Sequence, residues 1–426
     1  MSKRVLIATT GSLGDLHPYI AIGLELRARG ATVTIATNNY YRTKVERTGL
    51  EFAPMGPHVP PVNSEAMEQA MDLKKGPEYL LRQIMYPGIP AAYAEMMHAL
   101  QRADVILTHP IAFAAQIAAE KTGLPWISAV PSPTVFFSRF DPPVLAPYPS
   151  LAKLRSLGPS VNGIIMRLVR ARTKPWMAPV TRFRESLEMA PGPDPVFEGH
   201  HSPQRVLALF SRLIGEPQPD WPAQTLVTGF VFYDQVDHGR GLNPDLQHFL
   251  DSGPAPVVFT LGSAAVQHAG NFYRECLAAI RRLGCRAVLL AGDNSIPEPL
   301  PPGTAVFPYA PFSKILPHAS VVIHPGGIGT TAQALIAGRP MLVVPYAFDQ
   351  PDNADRVKRL GVARVISRKD YKPQRLTEEI DRLRSDASYS AAARDVGRLI
   401  VDENGVRSAC DAIEDQFPHE RSSSAT

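Results

Sequence analysis

Residues 320–346 read SVVIHPGGIGTTAQALIAGRPMLVVPY. An apolar run, a glycine-rich turn, a small-residue helix and a second apolar run follow one another without a gap. Strand, turn, helix and strand in that order make a βαβ unit, which implies parallel strands covered by helices. Gly326, Gly327 and Gly329 let the backbone approach a ligand closely and take positive φ. The helix start offers N–H groups without partners and the positive end of the helix dipole. Thr330 and Thr331 add hydroxyls and His324 an imidazole donor, so the stretch suits a phosphate or diphosphate. The competing reading is a tight turn whose threonine caps the helix. The stretch is not a phosphate loop, because no lysine precedes the threonines. Nor is it the G-x-G-x-x-G dinucleotide turn.

The same pattern recurs along the chain. Val5–Thr9 reads as a buried strand, followed by the turn Gly11-Ser12-Leu13-Gly14-Asp15, the helix IAIGLELRARG closed by Gly30, and the strand ATVTIAT. DVILTHP, IAFAAQIAAEKTG and PWISAV repeat it, and PVVFTLGSAAV, FYRECLAAIRRLG, RAVLLAG and TAVFPYA begin a second series. At 426 residues the chain exceeds one ordinary core, and two α/β domains are expected. Proline and polar content rises over residues 211–225. That places a first domain at 1–218 and a second domain at 219–405. Residues 406–426 are expected to form a helix packing back toward the first domain, then a frayed polar tail. Two such domains leave a cleft where their strand ends face each other.

Composition narrows the function. Hydrophobic residues make up 45% and charged residues 20%, with a net charge of only +4, which argues against a dedicated nucleic-acid binder. Cys276, Cys285 and Cys410 are scattered and odd in number, which favours a reducing, cytoplasmic setting and offers no metal spacing. The N-terminal apolar run is about six residues, too short for a signal peptide core, and no run reaches the roughly 18 residues of a membrane span.

Other loops carry chemistry of their own. Gly262-Ser263 ends a strand and can reach the same phosphate. Asp15, at a helix start, is either an N-cap or a proton acceptor on a cleft, with His17 a weaker base candidate. Asp349 and Gln350 pair an acceptor with a mixed donor and acceptor, suited to sugar hydroxyls or to capping the next helix. Tyr309 and Phe312 can bracket a flat base or belong to the core. Residues 67–149, rich in Met, Tyr, Phe and Pro, suit an apolar pocket or ordinary packing. IIMRLVRARTKPW, apolar then basic, suits peripheral contact with a membrane surface, or a domain-facing helix with a solvated basic end.

Taken together these residues resemble the nucleotide-sugar-dependent glycosyltransferases of the GT-B fold, two Rossmann-like domains facing across a cleft. The likeness is to the UDP-glycosyltransferase superfamily, in the branch of sterol and antibiotic glycosyltransferases. The signature H-x-G-G-x-G-T-T, then G-x-P, a strand and D-Q-x-x-N-A, is met by His324, Gly326, Gly327, Gly329, Thr330, Thr331, Gly338, Pro340, Asp349, Gln350, Asn353 and Ala354. The resemblance implies that His324 and the Gly329–Thr331 segment bind the donor diphosphate, and that Asp349 and Gln350 hold its sugar. It further implies donor contacts from Ser12, Gly14, Ser263, Tyr309 and Ala310, with Tyr309 stacking on the base. The base position of the first glycine loop, aspartate in this branch, falls on Asp15. The neighbour that orients it falls on His109, reversing the histidine–aspartate order of plant-like members. Pro325, Ala332 and Phe312 depart from the best-known variants, so both UDP and dTDP stay open.

The implied reaction is a metal-independent, inverting transfer of a hexose or deoxyhexose to a hydroxyl of an apolar small molecule or lipid. It needs no cofactor besides the nucleotide-sugar co-substrate. An epimerase or hydrolase of the same fold, and a non-catalytic nucleotide-sugar binder, are the alternatives.

Overall fold

A computed structural model describes residues 3–59, 65–233 and 241–417; the tail expected to fray, from residue 419 on, lies outside them. Seven strands form the first sheet: β1 (Arg4–Ala8), β2 (Thr32–Thr37), β3 (Glu51–Pro54), β4 (Val105–Thr108), β5 (Trp126–Val130), β6 (Arg205–Ala208) and β7 (Thr225–Val227). Six form the second: β8 (Val257–Thr260), β9 (Ala287–Leu290), β10 (Thr304–Phe307), β11 (Val321–His324), β12 (Met341–Val343) and β13 (Ala363–Val365). Every pairing is parallel. Strand β7 lies past residue 218 and pairs with β6, so the first sheet takes in this segment.

The strands are apolar on both faces because helices cover both. Val5 and Ile7 of β1 enter one core cluster while Leu6 and Ala8 enter the opposite one. The helix α1 (Leu13–Ala28) covers the first sheet, α2 (Pro159–Thr173) lies on the first domain, and α3 (Ile328–Ile336) and α4 (Gln350–Arg359) serve the second sheet. The last helix, α5 (Gly405–Glu414), returns to the first domain, where Cys410 and Ile413 share a core with Ile20 and Leu26. All three cysteines are buried and unpaired.

Strand order positions the site. The first sheet runs β3-β2-β1-β4-β5-β6-β7, so its winding reverses between β1 and β4. The second runs β10-β9-β8-β11-β12-β13 and reverses between β8 and β11. In doubly wound sheets the crevice opens beyond the C-terminal strand ends at that reversal. The loops after β1 and β4 hold Asp15 and His109; those after β8 and β11 hold Gly262-Ser263 and the His324–Thr331 turn. Four of the motif loops singled out from the sequence therefore flank a switch point, while those with Tyr309 and with Asp349-Gln350 follow the outer strands β10 and β12.

Candidate active site

At the first switch point, Ser12 is the N-cap of α1 and Asp15 occupies the third helical position. Asp15 Oδ2 accepts hydrogen bonds from Ser12 N (2.8 Å) and Ser12 Oγ (3.1 Å), while Ser12 Oγ accepts from Gly14 N (3.2 Å). This is a capping box, so Asp15 is not itself the N-cap. A Cβ at Gly11 would lie 2.3 Å from Asp15 Oδ2, and Gly11 has φ +126°, so only glycine fits there. Capping occupies one carboxylate oxygen. The other, Oδ1, lies 3.4 Å from His109 Nε2 and takes no hydrogen bond from it. His109 Nδ1 accepts from Ile111 N at 3.4 Å, which assigns the proton to Nε2, the edge toward Asp15. Burial, then the charge of Lys44, lowers the neighbouring His17 to about 4. Its ring packs edge-on against Tyr233, 5.2 Å away, so it serves packing.

At the second switch point, His324 is 0% exposed. Its Nδ1 accepts from Gly326 N at 3.1 Å, so Nε2 carries the proton, and burial holds the ring neutral with a pKa of about 3. Nε2 has no hydrogen-bond partner among the described residues, and neither has the buried Thr331 Oγ1. An orphaned buried polar group costs about 1–3 kcal/mol, and two of them lie beside this one glycine loop. Gly327 caps α3 without a side chain, leaving its first-turn N–H groups open to an anion. The glycines divide by role. A Cβ at Gly326 (φ +91°) would strike Val343 at 2.7 Å, whereas at Gly327 or Gly329 it would meet nothing within 4 Å. A Cβ at Gly262 would lie 3.3 Å from Thr330 Oγ1, so the loop carrying the exposed Ser263 meets the start of α3.

Asp349 immediately precedes α4 but makes no capping hydrogen bond. Its Oδ2 instead accepts from Asn353 Nδ2 at 2.7 Å, and that nitrogen also reaches Gly326 O at 3.0 Å. Asn353 thus ties the phosphate-type loop to the acid. Phe348, one residue earlier, sits at φ 56°, a strained backbone for a non-glycine residue. Burial pushes the Asp349 carboxyl up to about 7; the Asn353 hydrogen bond opposes this, and the charges of Asp15 and Asp352 add to it. Asp15 belongs to the first domain, whose helix α1 touches the short helix Gly262–Ala265 of the second. Gln350 is buried, and its Oε1 accepts from Tyr346 N (2.7 Å) and Ala347 N (3.1 Å). Its acceptor side is taken by the preceding loop, leaving the amide nitrogen side for a hydroxyl. Tyr309 is 57% exposed beyond β10, Ala310 is buried, and Phe312 packs on the core. Among the described residues no group of three acids, histidines or cysteines could hold a metal ion.

Sequence reading missed two features. Asn353 stood in the motif without a role, although its spacing of four from Asp349 puts both on one helix face. Gly11 was one glycine among several, and only its contact with Asp15 distinguishes it. A shallow apolar hollow lined by Met55, Met85, Ile89, Ala92, Ile111 and Phe113 begins two residues past His109.

Two parallel α/β domains, with paired loops at facing switch points and a helix start opposite an acid, define a GT-B glycosyltransferase. Residues 5–136 match the glycosyltransferase family 28 N-terminal domain. Residues 274–405 match the erythromycin biosynthesis protein CIII-like C-terminal domain. The chain is 32% identical to O-mycaminosyltylonolide 6-deoxyallosyltransferase of Streptomyces fradiae, over 97% of each chain. It is 25% identical to sterol 3-beta-glucosyltransferase UGT80A2 of Arabidopsis thaliana, over 97% of this chain and 66% of that one. Among solved structures it resembles the glycosyltransferase of kitacinnamycin, with TM-score 0.74, 25% identity, and 98% and 100% of the chains covered. It shares the fold of the Streptomyces glycosyltransferase SsfS6 complexed with thymidine diphosphate, with TM-score 0.65, 19% identity, and 97% and 99% covered. The chain belongs to the UDP-glycosyltransferase superfamily, related to its natural-product and sterol branches. It is a glycosyltransferase that moves a sugar from a nucleotide-sugar donor to a small-molecule acceptor.

Proposed function

We propose that the protein is an inverting, metal-independent glycosyltransferase that moves a hexose or deoxyhexose from a UDP- or dTDP-sugar to a hydroxyl of an apolar acceptor, with Asp15 as general base. The observation carrying this reading is the approach of the two half-sites: Asp15, whose Oδ1 takes no hydrogen bond, lies on a helix that touches the Gly262–Ala265 turn, and that turn meets the start of α3 with its two orphaned groups. The acceptor oxygen bonds to the anomeric carbon as the bond to the diphosphate breaks, and the acceptor proton passes to Asp15 Oδ1. A carboxylate is a weak base toward an alcohol, so transfer comes late, when the attacking oxygen has become acidic. His109, with its N–H edge toward Oδ1, orients that oxygen. His324 Nε2–H, Thr331 Oγ1 and the amides of α3 stabilise charge on the departing diphosphate, and the helix end supplies the positive field there. Asp349 and the amide of Gln350 hold the sugar hydroxyls, and Tyr309 stacks on the base.

The name of the S. fradiae relative, a 6-deoxyallosyltransferase, supports a deoxyhexose donor, and the thymidine diphosphate bound to SsfS6 supports dTDP. Incubation with a panel of UDP- and dTDP-sugars and apolar alcohols, read by product mass, tests the assignment. A hexose or deoxyhexose added to an acceptor is expected. Nucleotide release with no glycosylated product would favour a donor hydrolase or epimerase.

A lipid acceptor agrees with the surface of α2. Ile164 (51%), Leu168 (66%) and the preceding Leu157 (58%) are exposed. Residues 142–184 contain eight Lys and Arg and no Asp or Glu, so the rest of a chain of net charge +4 is net −4. Lys153, Arg167, Arg172 and Lys174 make no ion pair among the described residues. We propose that this face contacts an anionic lipid surface, each basic residue contributing roughly 1 kcal/mol at low salt. Co-sedimentation should favour phosphatidylglycerol vesicles over phosphatidylcholine and weaken with salt. Ile164→Asn/Leu168→Asn should abolish it while sparing transfer to a soluble acceptor. Equal binding to both vesicles, or none to either, would contradict the proposal.

A further inference from the structure

The site described so far has one half on each domain, and something must hold the halves in register. Helix α4 begins with the sugar-side residues Asp349 and Gln350, and its next two turns face the loop after β5. There Asp352 is 0% and Arg356 3% exposed. The Asp352 carboxylate accepts from Val144 N (2.8 Å), Thr134 Oγ1 (2.8 Å) and Arg356 Nε (2.7 Å). Arg356 Nη1 donates to Asp141 Oδ2 (2.5 Å) and Ile214 O (2.8 Å). At the rim, Arg155 pairs with Asp355 at 2.7 Å, and Arg359 lies 3.2 Å from Asp355 and 3.3 Å from Asp141. Three acids and three arginines balance, and the donors and acceptors of the buried pair are matched across the domain boundary. Ser132 Oγ adds a link at 3.1 Å to Asn353 Oδ1, whose amide nitrogen holds Asp349.

We propose that Asp352, Arg356 and Asp141, with Thr134, form an interdomain latch that keeps the donor-sugar end of α4 in register with Asp15. They are positioning residues, because none of them reaches the reacting atoms. A buried ion pair adds little net stability compared with apolar packing, but losing one partner strands the other charge. Such a network acts on geometry: it fixes helix α4 against the acceptor domain in one arrangement. Transfer is sensitive to that register, since a misplacement of about 1 Å can cost on the order of 100-fold in rate. Nucleotide binding is much less so, because His324 to Thr331, Ser263 and Tyr309 all belong to the second domain and only Ser12 and Gly14 reach the donor from the first.

This inference rests on the transferase reading, and the two can fail separately. If the wild-type protein transfers no sugar, that reading fails and the latch has nothing to position. If it does transfer, Asp141→Asn, Thr134→Val, Thr134→Ser and Arg356→Met are compared by kcat for transfer and by calorimetric Kd for UDP or dTDP. The expected result is a fall of about 10- to 100-fold in kcat for Asp141→Asn and Thr134→Val. Nucleotide Kd should stay near wild type, and Thr134→Ser, which keeps the hydroxyl, should recover most of the rate. If Arg356→Met does not fold, the two variants on the acceptor-side loop decide. An unchanged kcat in folded Asp141→Asn and Thr134→Val would overturn the latch. So would a Kd that weakens in step with kcat, because the network would then only shape the donor loop.

Discussion

Asp15→Asn is expected to bind the donor nucleotide as the wild type does and to transfer sugar about 10²–10⁴-fold more slowly, the usual contribution of a general base. The substitution is nearly isosteric. The amide oxygen can replace Oδ2 as acceptor for Ser12 N, so the start of α1 keeps its cap. What is lost is the second oxygen, the one facing His109. Calorimetry with UDP or dTDP and single-turnover transfer separate the two effects. Asp349 provides a demanding control, because its carboxyl, pushed up to about 7 by burial, has the proton affinity of a good base. Its place argues otherwise: Asn353 ties it to the diphosphate loop, on the donor side of the cleft. Asp349→Asn should therefore raise the donor KM. If Asp15→Asn keeps its kcat while Asp349→Asn loses it, the base is Asp349.

The second large effect is expected at His324, and two variants separate its two nitrogens. His324→Asn puts an acceptor near Nδ1, where Gly326 N can still donate, but removes the donor at Nε2. His324→Gln places an amide nitrogen near Nε2 and gives up the bond to Gly326. If Nε2–H stabilises the leaving diphosphate, the Asn variant should lose about 10²–10³-fold in kcat, as when an oxyanion donor is removed, and the Gln variant much less. The wild-type ring is neutral with a pKa of about 3, so this contribution should not vary with pH above that value. Equal losses in both variants would assign His324 to shaping the loop.

Much of the candidate site's placement is legible in the sequence because it depends on local order. A glycine turn between an apolar run and a helix puts its residues at a strand end, and parallel winding brings such ends together. His324, Thr331 and Asp15 could be placed in that way, whereas His109, which no glycine turn follows, came only with the family resemblance. Asp15 illustrates where local reading stops: Ser12 and Asp15 spell a capping box, yet which oxygen the cap uses depends on the close approach of Gly11. Gln350 reads as a mixed donor and acceptor until its Oε1 is found engaged by the backbone of Tyr346 and Ala347. The latch was not legible at all. Asp352 and Arg356 are spaced as an ordinary exposed helix pair, and only the loop after β5, more than 200 residues away in sequence, buries them.

The most direct measurement is the anomeric configuration of the glycosylated product, read from its one-bond carbon–proton coupling at C1 and compared with that of the donor. A single displacement, with Asp15 taking the acceptor proton and the diphosphate leaving toward His324 and α3, inverts that centre, and inversion is the expected result. A product that retains the donor's configuration would contradict it.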